Sequence, residues 1–208
     1  MLLNVSNAME EKIHFQSNEH SIEGLVSRGQ GSRGVVITHP HPQYGGDMYN
    51  PVVESIAHVY QRKGITTLRF NFRGVGSSGG RYGDGIGEQA DVLASVRCLR
   101  ENGHNPIDLA GYSFGAWVNA HLDPVPVDIE NMIMVSPPVA FMEFDANLAL
   151  PPLCLVVSGS RDEIAPSGRI RNLMPGWNPE ASFEEIQGAD HFYFGFFKEL
   201  EAVLSENI

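Results

Sequence analysis

Residues 111–115 read Gly-Tyr-Ser-Phe-Gly, directly after the apolar run 107–110 and directly before a stretch able to form a helix. A serine held this way at a strand-to-helix junction needs a very tight turn, with a strained backbone and the hydroxyl pushed toward solvent. Gly111 and Gly115 suit that turn, because side chains there would drive strand and helix into each other. So short a motif also occurs in ordinary turns, and the rest of the chain must decide between the two readings.

Strand-like and helix-like segments alternate around it. RGVVITHP (33–40) precedes NPVVESIAHVYQRKG (50–64), in which Asn50 is a helix cap, Pro51 the first helical residue and Gly64 the stop. ITTLRFNFRG (65–74) reads as a strand, and EQADVLASVRCLRENG (88–103) as a helix with Val92, Leu93, Val96 and Leu99 on one face. IDLAGYS (107–113) runs into FGAWVNAHL (114–122). NMIMVSPP, LCLVVSGS and ASFEEIQGADH are further strands, and KELEAVLSEN (198–207) is a closing helix. The looser alternation of HFQSNEHSIEGLVSR (14–28) fits an antiparallel hairpin at the sheet edge. This order predicts an α/β fold, a mainly parallel sheet with helices on both faces.

With 208 residues, 42% of them apolar, the chain is long enough for one substantial core, and residues 9–208 are read as a single domain. Ser6, Asn7 and Ala8 ahead of Met9 set residues 1–8 apart as a tag or disordered N-terminus. A net charge of −11 with no basic stretch argues against nucleic acid and anionic membranes as partners. Neither an export signal nor a membrane-spanning run is legible, so a cytoplasmic protein is expected. Cys98 and Cys154 lie in apolar patterns and are expected to be reduced, buried thiols.

In an open parallel sheet, the loops leaving the carboxyl ends of the strands converge on one rim, where ligands bind. Five such loops carry chemistry: 39–46, 73–80, 111–115, 159–166 and 188–192. A serine hydroxyl is a poor nucleophile until a base takes its proton, and that base needs an acid to fix its tautomer. In the strand-turn-helix version of such a site the order along the chain is Ser, then Asp or Glu, then His. Ser113, Asp162 and His191 follow that order, each after a strand-like run, with Glu163 as the reserve acid. The bland alternatives are a surface-turn aspartate at 162 and a structural histidine beside Asp190.

With these motifs in place, residues 33–204 resemble the α/β-hydrolase superfamily, and within it are similar to small, lidless bacterial esterases of the dienelactone-hydrolase type. Relatives of that type often carry a cysteine nucleophile where this chain has Ser113. The resemblance implies an α/β-hydrolase fold of about eight strands, mostly parallel with an antiparallel second strand. It also implies acyl transfer to water through a covalent acyl-serine. Two backbone N–H groups must then face the developing oxyanion. Phe114, at a helix N-terminus, is one expected donor; His41 is the other, ahead of Gly45 and Gly46, since Pro40 and Pro42 have no N–H.

Other readings compete for the same residues. His39-x-His41 has the spacing for two zinc ligands, but no further ligand pattern accompanies it, so no metal is expected and loop-ordering imidazoles are the alternative. GVGSSG (74–79) formally matches a dinucleotide fingerprint, yet further glycines prolong the loop and no acid stands near 94–100, so no cofactor is expected. Arg73 is expected to pair structurally within that loop. Residues 139–152 are too few for a large lid; Phe141, Met142 and Phe144 there either line an apolar wall for an acyl or alkyl group or cover the core edge. The expected substrates are small to medium carboxylic esters. The same three residues also suit a thioesterase or peptidase-like hydrolase, and a hydrolase-like protein that binds without turnover is the remaining alternative.

Overall fold

The computed structural model describes residues 10–126 and 129–208. The segment 1–8, set apart above, lies outside the described residues. Strands β1 (Glu11–Ser17) and β2 (His20–Ser27) form the expected edge hairpin. There follow β3 (Gly34–Thr38), α1 (Pro51–Arg62), β4 (Thr66–Phe70), α2 (Ile86–Glu101), β5 (Ile107–Tyr112) and α3 (Phe114–Ala120). The chain ends with β6 (Ile129–Val135), β7 (Leu153–Gly159), α4 (Ser167–Trp177), β8 (Ser182–Ile186) and α5 (Phe197–Asn207). Among the described residues these strands make one eight-stranded sheet in the order β1-β2-β4-β3-β5-β6-β7-β8. β2 is antiparallel to both neighbours and every other pairing is parallel.

From β3 the chain moves outward to β4 and then returns to the other side of β3 as β5. The connections after β3 and β5 therefore lead to opposite faces of the sheet, the arrangement beside which open α/β sheets bind ligands. The motif at 111–115 lies at that point.

Side-chain alternation builds the core on both faces of the sheet. Val36, Leu109, Met134 and Val156 face α2, α3 and α4, while Val35, Ile37, Ala110, Ile133 and Val157 face α1 and α5. Burial on both faces is why these strands read as unbroken apolar runs. Truncating one of them, as in Leu109→Ala, should cost about 2–5 kcal/mol.

Helix α1 begins as its sequence dictates: Asn50 Oδ1 accepts from the Val52 N–H at 2.9 Å, and Pro51 needs no partner for a missing N–H. Helix α2 departs from expectation, starting at Ile86 and leaving Leu93 38% exposed. Its buried face runs through Glu88, Asp91, Val92, Ser95, Val96 and Leu99, so two carboxylates occupy places where apolar residues were sought. Helix α4 was not foreseen; its buried residues are Ile170, Met174 and Trp177. Cys98 and Cys154 are free but only half-buried, a correction to the expectation of buried thiols. The 139–152 connection contains no helix or strand, so no large lid is present, and among the described residues no helix is long and apolar enough to cross a membrane.

Candidate active site

Ser113 joins β5 to α3 with φ 54° and ψ −117°, a conformation that costs a residue with a Cβ about 1–3 kcal/mol. The packing around it explains why the turn tolerates no bulk. A Cβ on Gly115 would lie 2.5 Å from Thr38 Oγ1 and 2.6 Å from the Thr38 carbonyl oxygen; one on Gly111 would lie 2.6 Å from Ala116 Cα. The start of α3 thus sits directly on the end of β3 and brings the loop after β3 beside the serine.

Ser113 Oγ lies 2.9 Å from His191 Nε2, and His191 Nδ1 lies 3.0 and 2.9 Å from Asp162 Oδ1 and Oδ2. All three residues are buried, Ser113 only 7% exposed. That corrects the expectation of a hydroxyl projecting into solvent: the hydroxyl faces the imidazole instead. Burial pushes the Asp162 carboxyl up, but hydrogen bonding and charge from His191, the Ala165 N–H and the Ser136 hydroxyl outweigh it and hold the group below the usual carboxylate range. The N–H groups of Ile164 and Ala165 reach Asp162 Oδ1 at 2.9 and 2.7 Å. With an acid held ionised at Nδ1, the imidazole carries its proton there and turns a lone pair on Nε2 toward the serine.

His191 is fixed from behind by Tyr112, whose hydroxyl donates to the His191 carbonyl at 2.8 Å. Asp190 instead accepts from the N–H groups of Phe192 and Tyr193 at 3.0 and 3.1 Å, so it shapes the loop. Glu163, the reserve acid, is exposed.

Among the described residues, neither the N–H of Phe114 nor that of His41 has an acceptor. The His41 ring packs on the Phe114 ring, centroids 4.7 Å apart, and its carbonyl accepts from Tyr44 and Gly46, each at 3.0 Å. The two histidines of the H-x-H pair are engaged by the protein itself. His39 Nδ1–H donates to the Pro40 carbonyl at 2.7 Å, its Nε2 accepts from the Phe72 N–H at 3.0 Å, and burial pushes its pKa down to about 4. His41 Nδ1 accepts from the Gln43 N–H at 3.2 Å, and Nε2 lies 3.2 Å from Tyr82 Oη.

The glycine-rich loop after β4 is occupied in a similar way. Arg73 pairs with Asp91 at 2.7 and 3.0 Å, and Glu88 accepts from the N–H groups of Gly83 and Gly85 at 2.9 and 2.8 Å. The loop is thus pinned to α2 and carries Tyr82 to His41, a contact that spacing alone did not reveal.

Phe141, Met142 and Phe144 line a groove shared with Arg169, Asn172 and Leu173 of α4; neither Ser113 nor His191 is among its lining residues. Phe144 packs against His121 and Trp177, and Met142 against the same core, whereas Phe141 is 75% exposed. Phe144 and Met142 thus touch both the core edge and the groove.

The sequence model of the alpha/beta hydrolase family matches residues 35–205. An uncharacterized protein of Rickettsia prowazekii is 32% identical over 194 residues, spanning 88% of this chain and 82% of that protein. An alpha-beta serine hydrolase homologue from Coxiella burnetii is 35% identical with a TM-score of 0.87, covering 95% of this chain and 97% of its own. A serine hydrolase without a lid from Xanthomonas campestris is 25% identical with a TM-score of 0.85, covering 95% and 93%.

Proposed function

The chain belongs to the alpha/beta hydrolase family, and from that premise we propose that it cleaves small to medium carboxylic esters through an acyl-serine intermediate. The observation that carries the reading is the continuous path from Asp162 through His191 to Ser113, with contacts of 2.9 to 3.0 Å. His191 Nε2 takes the proton of Ser113 as Oγ bonds to the substrate carbonyl carbon. The carbonyl oxygen becomes an oxyanion held by the N–H groups of Phe114 and His41. When the tetrahedral species collapses, the bond to the leaving oxygen breaks and His191 hands that oxygen its proton. Water, deprotonated by the same nitrogen, then frees the acid and restores Ser113. Asp162 stays ionised throughout, stabilising the imidazolium. The free thiols of Cys98 and Cys154 suit a reducing compartment and support a cytoplasmic enzyme.

A panel of p-nitrophenyl esters of rising chain length, run beside acyl-CoA thioesters and a peptide anilide, tests the proposal. Short and medium esters should turn over fastest, and Ser113→Ala should lower kcat by about a millionfold, roughly 8 kcal/mol, with little change in stability. Faster cleavage of the thioesters would move the reading to a thioesterase. Ester turnover surviving Ser113→Ala would end the mechanism.

A further inference from the structure

Resting on the reading above, we infer that Phe192 and Phe194 form an aromatic platform for the leaving group, so the preferred substrates release an alcohol or thiol bearing a planar apolar ring. His191 Nε2 gives its proton to the leaving oxygen or sulfur, so that atom has to come within hydrogen-bond reach of the imidazole. Whatever the leaving group carries therefore extends over the surface next to His191.

That surface is aromatic. The His191 ring meets buried Tyr112 at 5.4 Å between centroids and half-exposed Phe192 edge-on at 5.7 Å and 88°. Phe192 is 54% exposed, and Phe194, stacked on it at 6.2 Å, is 70% exposed. Phe194 in turn meets Phe197 at 6.3 Å. The turn that presents the pair is held firmly: Asp190 accepts from two of its backbone N–H groups, Tyr193 takes φ 56°, and the Tyr193 hydroxyl bonds to Ser136 at 2.8 Å. Tyr193 is driven inward while the phenylalanines on either side stay out. Neighbouring exposed rings held in place beside a reacting centre are a binding surface with little ordering cost. Phenylalanine rings carry neither charge nor a hydrogen-bonding group, so they suit a neutral apolar ring best.

Acetates of ethanol, benzyl alcohol and 2-naphthylmethanol test this, since the leaving alkoxides are of similar basicity and all three pass through the same acetyl-Ser113. In the unmodified enzyme kcat/KM should rise along the series. Phe192→Ala should lower the naphthylmethyl-to-ethyl ratio of kcat/KM about tenfold, and Phe194→Ala about threefold. Phe192→Tyr, which keeps a ring, should hold the ratio. Equal losses on all three esters would overturn the inference, as would a dimer of the unmodified chain that Phe192→Ala or Phe194→Ala dissolves, since the patch would then serve a second copy. A fluorophosphonate arm separates the two levels: labelling of Ser113 with an unchanged ratio defeats only the platform, whereas no labelling defeats the hydrolase reading beneath it.

Discussion

Two buried aspartates sit toward opposite ends of the strands of one sheet, and their surroundings push them in opposite directions. Asp108, near the start of β5, is bound by Arg33 at 2.8 Å, Tyr60 Oη at 3.1 Å and Asn131 Nδ2 at 3.1 Å. Burial nevertheless dominates there and raises its pKa, with Arg33 and the hydrogen bonds only partly opposing it. Asp162, after β7, is also buried, yet ends up lowered. The difference lies in the partners. Arg33 is one-third exposed, so solvent weakens its hold, whereas the Ile164 and Ala165 N–H groups and the His191 ring are fixed around the carboxylate. One end of the strands uses a carboxylate to tie strands together; the other keeps a carboxylate charged so that a histidine stays oriented.

Removing each charge should separate those roles. Asp162→Asn should lower kcat about ten-thousandfold, because an amide no longer enforces the Nδ1–H tautomer, and folded-state circular dichroism should stay unchanged. Asp108→Ala should do the reverse. It leaves Arg33 and Tyr60 without their buried partner and should cost about 3–5 kcal/mol in denaturant unfolding, with kcat of the folded fraction retained. Loss of activity matching that of Asp162→Asn would mean that the two ends of the sheet's strands are coupled.

Acid titration should sharpen the contrast. Asp162, lowered on folding, contributes stability that is present above the ordinary carboxylate pKa and lost as pH falls through its lowered value. Asp108, raised on folding, contributes stability that is present below the ordinary value and lost as pH rises through its raised one. His39, at the carboxyl end of β3, adds a further signal. It stays neutral in the folded chain down to about 4 but binds a proton near 6.5 once unfolded, so unfolding takes up a proton between those values. Stability should fall by about 3 kcal/mol as pH drops across that window, and His39→Gln should flatten the slope.

The sequence was most legible where local chemistry and tertiary position agree. Asn50-Pro51 caps α1, the apolar runs of β3 and β5 are buried on both faces, and Gly111 and Gly115 have no room for a side chain. The order Ser113, Asp162, His191 picked out side chains that the fold brings within bonding distance, although 78 positions separate the serine from the histidine. Legibility failed where polar residues do buried work. Glu88 and Asp91 hid the inner face of α2 and made Leu93 look like part of it. In α4, Gly168 and Pro175 masked a helix whose buried residues Ile170, Met174 and Trp177 are spaced four and three apart. Phe144 could not be assigned from spacing alone, because a core-edge ring and a pocket ring look alike until His121 and Trp177 are seen against it.

The central claim is that Ser113 is a nucleophile activated by His191. Peptide mass spectrometry after exposure to a fluorophosphonate tests it most directly. The account predicts one covalent adduct per chain, on Ser113, forming at the native rate in Phe141→Ala and almost abolished in His191→Ala. A folded protein that takes up no adduct, or takes it up on another residue, would contradict it.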